Sequence, residues 1–193
     1  MGKKIKVLSI GHSYVVALNR SILRELAKDK DFEVTVGVPK HFKGSLRPIV
    51  CEPEPEGSEL KIVTLDAYWT QRMHIFAYDH FQLKKLFSRD FDLVHAWEEP
   101  YIFAGYQIAR AAHKAKIPYA FRTAQSLVKK YVYPFNHFEK RSFAWSKMWI
   151  AGGHLVFQAM VEKGLDPQKG RVLTLAVDTH RFKVFDDLQK KKK

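Results

Sequence analysis

The chain has 193 residues, 46% of them hydrophobic, and a formal net charge of +13. That length suits one α/β domain, able to bury about two-thirds of its unfolded surface. The charge calls for an anionic partner: nucleic acid, a phosphorylated substrate or acidic lipid.

Several classes are excluded at once. No apolar run approaches the roughly 20 residues that cross a bilayer, and Ile5 to Ile10 is too short and interrupted for a signal-peptide core. Position 6 is Lys6, where N-myristoylation asks for Ser or Thr. A single cysteine, Cys51, excludes an internal disulfide and the cysteine-based zinc patterns. A cytosolic protein is the simplest expectation. Lys190 to Lys193 read as a disordered tail, and without them the balance is still +9.

Short apolar runs alternate with helix-length amphipathic segments, which predicts a Rossmann-like α/β three-layer sandwich around a mostly parallel sheet of about seven strands. Ile5 to Ile10 is the first predicted strand. Val15 to Lys28 is its helix, with Val15, Leu18, Ile22 and Leu26 along the inner side. Phe32 to Val38 follows as a strand, stopped by Pro39. Between Lys40 and Leu60 the pattern dissolves, and Glu52-Pro53-Glu54-Pro55-Glu56-Gly57 predicts an exposed extended loop. Lys61 to Leu65 is the third strand, and a helix is expected from about Ile75 to Phe87.

Asp92 to Ala96 gives a fourth strand, with Pro100 in the first turn of a helix that runs to about Lys114. Ile117 to Arg122 is the fifth strand. Asn136 and Glu139 approximate a capping box for a helix to about Lys147. Met148 to Ala151, a helix from His154 stopped by Gly164, and a strand from Val172 to Leu175 complete the sheet. Ligands of such folds bind beyond the carboxyl ends of the strands, at loops 11–14, 67–74, 97–100 and 123–136.

Gly11-His12-Ser13 leaves the first strand. Glycine allows close backbone approach to a ligand and Ser13 can cap the helix, although a plain turn has the same composition. His95 sits inside an apolar strand, as a packed core histidine would. From Arg122 to Ile150, six Lys or Arg residues and one acid interleave with Tyr131, Tyr133, Phe135, Phe138, Phe143, Trp145 and Trp149. The aromatic stripe reads either as core or as an interfacial element resting on anionic lipid. No metal site is expected: the nine histidines are scattered, with no His-x-x-x-His pair on a helix.

Two stretches carry a family resemblance. Arg171-Val172-Leu173-Thr174-Leu175-Ala176-Val177-Asp178-Thr179-His180-Arg181-Phe182 resembles the strand and turn at which two-domain GT-B glycosyltransferases of family GT4 pass from their first domain to their second, with Ala176 where Gly is usual. Ile117 to Glu139 resembles the segment after the family's fifth strand, in a subgroup with Gln in place of a cleft-lining His, a basic and aromatic run, Pro-Phe and a helix containing Glu. Here these are Gln125, Lys129, Tyr131, Pro134, Phe135 and Glu139.

The resemblance implies an N-terminal, acceptor-side domain over residues 1–182, followed by a Lys-rich tail at 183–193. It implies transfer of a sugar from a nucleotide sugar to a glycan or lipid-linked acceptor. The donor is then held mainly by a second domain or a partner subunit, without a further cofactor or metal. The expected site is Gln125 and Glu98 in catalytic positions, with Gly11, His12, Ser13, Thr123, Lys129 and Tyr131 binding substrate. Gln125 orients substrate, because an amide does not titrate. Glu98 binds sugar hydroxyls or acts as a base, while Glu99 suits a helix N-terminus. A peripheral position at the inner face of a membrane fits the charge. The alternatives are a separate membrane-docking subunit of a split glycosyltransferase, or a nucleic-acid-binding α/β protein. The latter lacks an RRM, KH or zinc-finger signature, so no nucleic acid is expected.

Overall fold

The computed structural model describes residues 3–44 and 48–175. Seven strands form one sheet: β1 (Ile5–Ile10), β2 (Phe32–Pro39), β3 (Lys61–Leu65), β4 (Leu93–Ala96), β5 (Tyr119–Thr123), β6 (Met148–Ala151) and β7 (Gly170–Val172). Their order is β7-β6-β5-β4-β1-β2-β3, and every neighbouring pair is parallel. Five helices flank it: α1 (Ser21–Ala27), α2 (His80–Phe87), α3 (Phe103–Ala115), α4 (Phe135–Trp145) and α5 (His154–Glu162). The expected Rossmann-like sandwich is therefore what the chain forms. Leu8, Ile10, Val36, Val94, Phe121 and Trp149 are buried at the sheet's centre, as expected of parallel strands covered on both faces. The winding direction reverses between β1 and β4, which opens the crevice where such sheets bind ligands.

The differences from expectation are local. The first helix starts late, after two 3₁₀ turns at His12–Val15 and Ala17–Arg20. Its inner side is Leu23 and Ala27, whereas Leu18 and Ile22 are exposed. The cause is Arg20, fully buried, whose guanidinium donates to the carbonyls of Tyr14 (2.8 Å) and Glu52 (2.7 Å) and ion-pairs with Glu54. A buried guanidinium needs this full set of partners. The acidic proline loop is consequently clamped against the domain at Glu54, not free throughout.

Two short antiparallel pairs, His41–Phe42 with Ile49–Val50 and Ala67–Tyr68 with Ala77–Tyr78, add structure the sequence pattern did not suggest. The second delays α2 to His80, behind an Asp79 cap. Pro100 lies before α3, not in its first turn. The expected capping box at Asn136 is not formed: Pro134 precedes α4 and Glu139 turns inward. The last strand is Gly170–Val172 in place of 172–175. The turn at 176–182 and the tail at 183–193 lie outside the described residues.

Candidate functional site at the sheet's switch point

The ends of β1 and β4 are drawn together by the Trp97 amide donating to the Ile10 carbonyl (2.7 Å). A Cβ on Gly11 would meet Trp97 Cβ at 2.9 Å and its carbonyl oxygen at 3.0 Å. Close approach, more than a special dihedral, requires glycine here. The chain then delivers His12 to Glu98. The His12 backbone N–H donates to Glu98 Oε1 (2.6 Å), and its Nδ1 lies 2.7 Å from Oε2. Tyr78 donates its hydroxyl to the same Oε1 (2.7 Å).

Glu98 is only 1% exposed, so both oxygens are consumed inside the protein. His12 keeps about a quarter of its side chain open (26%). Its ring stacks on Phe42 (4.8 Å) with its edge toward Phe76. Burial works against a charge on this imidazole, but the Glu98 carboxylate and the hydrogen bond to it outweigh burial and raise the pKa. Burial, then the same carboxylate, pushes the Tyr78 phenol well up.

Glu99, the next residue, faces the other way. Its carboxylate accepts from Thr123 Oγ1 (2.7 Å), the Ala124 amide (2.8 Å) and Gln125 Nε2 (3.1 Å). Gln125 Oε1 in turn accepts from the Tyr131 hydroxyl (3.0 Å) and Lys163 Nζ (3.1 Å). Lys163 ion-pairs with Glu139 of α4 and sits 4.9 Å above the Tyr131 ring, which stacks on Tyr101 at 4.2 Å. Helix α3 seals the base of this arrangement. A Cβ on Gly105 would fall 2.3 Å from the Glu99 carbonyl oxygen.

Gly11, His12 and Glu98 thus form one cluster, and Thr123, Gln125 and Tyr131 another, joined through the consecutive glutamates. Ser13 lies beside the first, but its hydroxyl caps no helix and has no hydrogen-bond partner among the described residues. Lys129 is exposed and joins neither cluster. Glu99 is a hub, not a helix-terminal charge, because α3 begins four residues later. Sequence reasoning missed Tyr78, Tyr101 and Lys163. Lys163 had no available signal, since it reaches Gln125 from the far end of α5. His95 is the expected core residue: Nδ1 lies 2.8 Å from Ser9 Oγ, and burial, helped by the Arg122 charge, lowers its pKa to about 4. The stripe from Arg122 to Ile150 is largely packing: Phe138 and Trp145 stack on Tyr106 of α3, while Trp149 belongs to buried β6.

Among the described residues, no group of three or more His, Cys, Asp or Glu is placed to hold a metal ion, and no helix is long and apolar enough to cross a membrane. A comparison with curated proteins finds no match. Among solved structures, HepE from Anabaena in complex with UDP-glucose is similar, with 13% identity, a TM-score of 0.62, and coverage of 94% of this chain and 47% of that one. A UDP-GlcNAc 2-epimerase from Neisseria meningitidis bound to UDP-GlcNAc has 14% identity, a TM-score of 0.55, and coverage of 87% and 45%. The corresponding epimerase from Methanocaldococcus jannaschii has 15% identity, a TM-score of 0.53, and coverage of 88% and 45%. These likenesses concern the fold, and the chain spans about half the length of each neighbour. The family model of Glycosyltransferase Family 4 matches residues 15–181, most of the sequence, and the chain belongs to that family.

Proposed function

We propose that this chain is the acceptor-side half of a glycosyltransferase that moves a sugar from a nucleotide sugar to a saccharide or lipid-linked hydroxyl. The donor is held mainly by a second domain or by a partner subunit. The reading rests on the His12–Glu98 pair at the switch point, a partly open imidazole backed by a buried carboxylate. Family membership supports sugar transfer, and two fold neighbours solved with UDP-sugars support a nucleotide-sugar donor. Basic charge supports a peripheral position at the cytoplasmic face of an anionic membrane.

In this reading His12 is the base and Glu98 its positioning residue. With Nδ1 directed at Glu98, Nε2 accepts the proton of the acceptor hydroxyl. The freed oxygen forms the new bond to the sugar carbon, while the sugar–phosphate C–O bond breaks and the nucleoside diphosphate leaves with the electron pair. Glu98 raises the imidazole's proton affinity and fixes its ring. Gln125, Thr123 and Tyr131 orient the sugars, Gly11 and Ser13 line the floor, and Lys129 offers a cation at the outer rim.

Two measurements test this. Isothermal titration of the isolated chain with nucleotide sugars should give no micromolar binding; such binding would overturn the division of labour. In the assembled enzyme His12→Gln should lower kcat by about 10²–10⁴-fold, and an unchanged kcat would remove His12 from the base position.

A further inference from the structure

Helices α2 and α3 pack side by side and contain no acidic residue between them. Their outer sides enclose a cavity of about 420 Å³. Leu83, Phe87 and Phe103 contribute apolar walls, while Lys84, Arg110 and Lys114 stand around it. Arg110 and Lys114 are one helical turn apart on α3, facing Lys84 across the groove. Among the described residues, none of these three cations makes an ion pair or a side-chain hydrogen bond. Lys28, Lys61 and Lys163, by contrast, each have a carboxylate partner.

Three unpaired cations beside an apolar cleft repel one another with no internal compensation. An anionic amphiphile satisfies both parts, since its phosphate neutralises the cations while its chain covers the walls. A free phosphate uses only the cations. The aromatic residues of α4 compete poorly for the same role, because Phe138 and Trp145 are already stacked on α3.

We infer that the α2–α3 groove is the seat of an anionic phospholipid at a membrane surface, with the headgroup phosphate among Lys84, Arg110 and Lys114. The inference rests on the peripheral-membrane part of the proposed function and names the surface and lipid class it uses.

The test measures partitioning of the full chain onto vesicles of phosphatidylcholine, alone or mixed with phosphatidylglycerol. The wild type should favour the anionic vesicles. A variant carrying K84A, R110A and K114A should lose binding on the order of 100-fold, at roughly fivefold per residue. Ala115→Trp, which fills the cleft without changing charge, should weaken binding roughly tenfold by displacing chain methylenes. All four positions are exposed, and unchanged thermal unfolding confirms intact variants.

A wild type indifferent to phosphatidylglycerol overturns the peripheral reading itself. Anionic-vesicle binding that survives the triple substitution overturns the groove alone. So does binding that survives Ala115→Trp, or that inorganic phosphate abolishes where chloride of equal ionic strength does not. Loss of duplex DNA binding in the triple variant, with vesicle binding intact, assigns the cations to nucleic acid and overturns the lipid.

Discussion

Two neighbouring glutamates divide the rim of this sheet into regions of different character. Around Glu98 everything is enclosed: the carboxylate is buried, its donors come from β1's loop and from Tyr78, and only the His12 imidazole reaches outward. Around Glu99 the network is lateral, passing through Thr123 and Gln125 to Tyr131, Lys163 and Glu139 on α4 and α5. Adjacent positions on one short segment thereby govern opposite sides of the crevice. The first side is built around a titrating group; the second is built around an amide.

The contrast is open to attack, beginning where the effect is largest. Glu98→Ala strands His12 and the Tyr78 hydroxyl in a buried site and should cost about 3–5 kcal/mol in denaturant unfolding. A cost under about 1 kcal/mol would mean that the cluster is not as closed as described. Gly11→Ala forces a methyl against Trp97 and should cost about 1–3 kcal/mol by the same measurement. Glu99→Ala should cost about 1–2 kcal/mol and speed amide exchange at Ala124, leaving the His12 titration unmoved. A shifted His12 titration would show that the two regions act as one.

The smallest effect is a difference in sign with pH. The His12 pKa is raised, so its contribution to stability is complete below about pH 6.5 and fades as pH climbs through the raised value. The His95 pKa is lowered to about 4. The unfolded chain therefore takes up a proton that the native chain refuses between about pH 6.5 and that value, and stability falls on acidification. Histidine NMR titration should place the two transitions on opposite sides of the ordinary value. Coincident transitions would contradict the burial of His95 and the pairing of His12.

The strands were legible because parallel strands buried on both faces demand short, mostly apolar runs rich in branched side chains, and Ile5–Ile10 and Phe32–Val38 supply them. Helix starts were less legible. Leu18 and Ile22 fit a helical stripe, but Arg20 imposes tertiary demands that local spacing does not encode. The same limit applies at the site. Glu98 and Gln125 stand out by type and position, whereas Glu99 resembles an ordinary helix-terminal acid until Thr123 and Gln125 are folded against it. Lys163 becomes meaningful only through contacts 24 and 38 residues back along the chain.

The Gln125 amide has a polarity set from both ends, nitrogen toward the Glu99 carboxylate and oxygen toward the Lys163 ammonium. An imidazole in the same seat would have to choose a tautomer or take a proton to serve two such neighbours. The neutral side chain makes no such choice. One bank of the crevice can therefore hold its alignment across the acidity range in which the opposite bank changes charge.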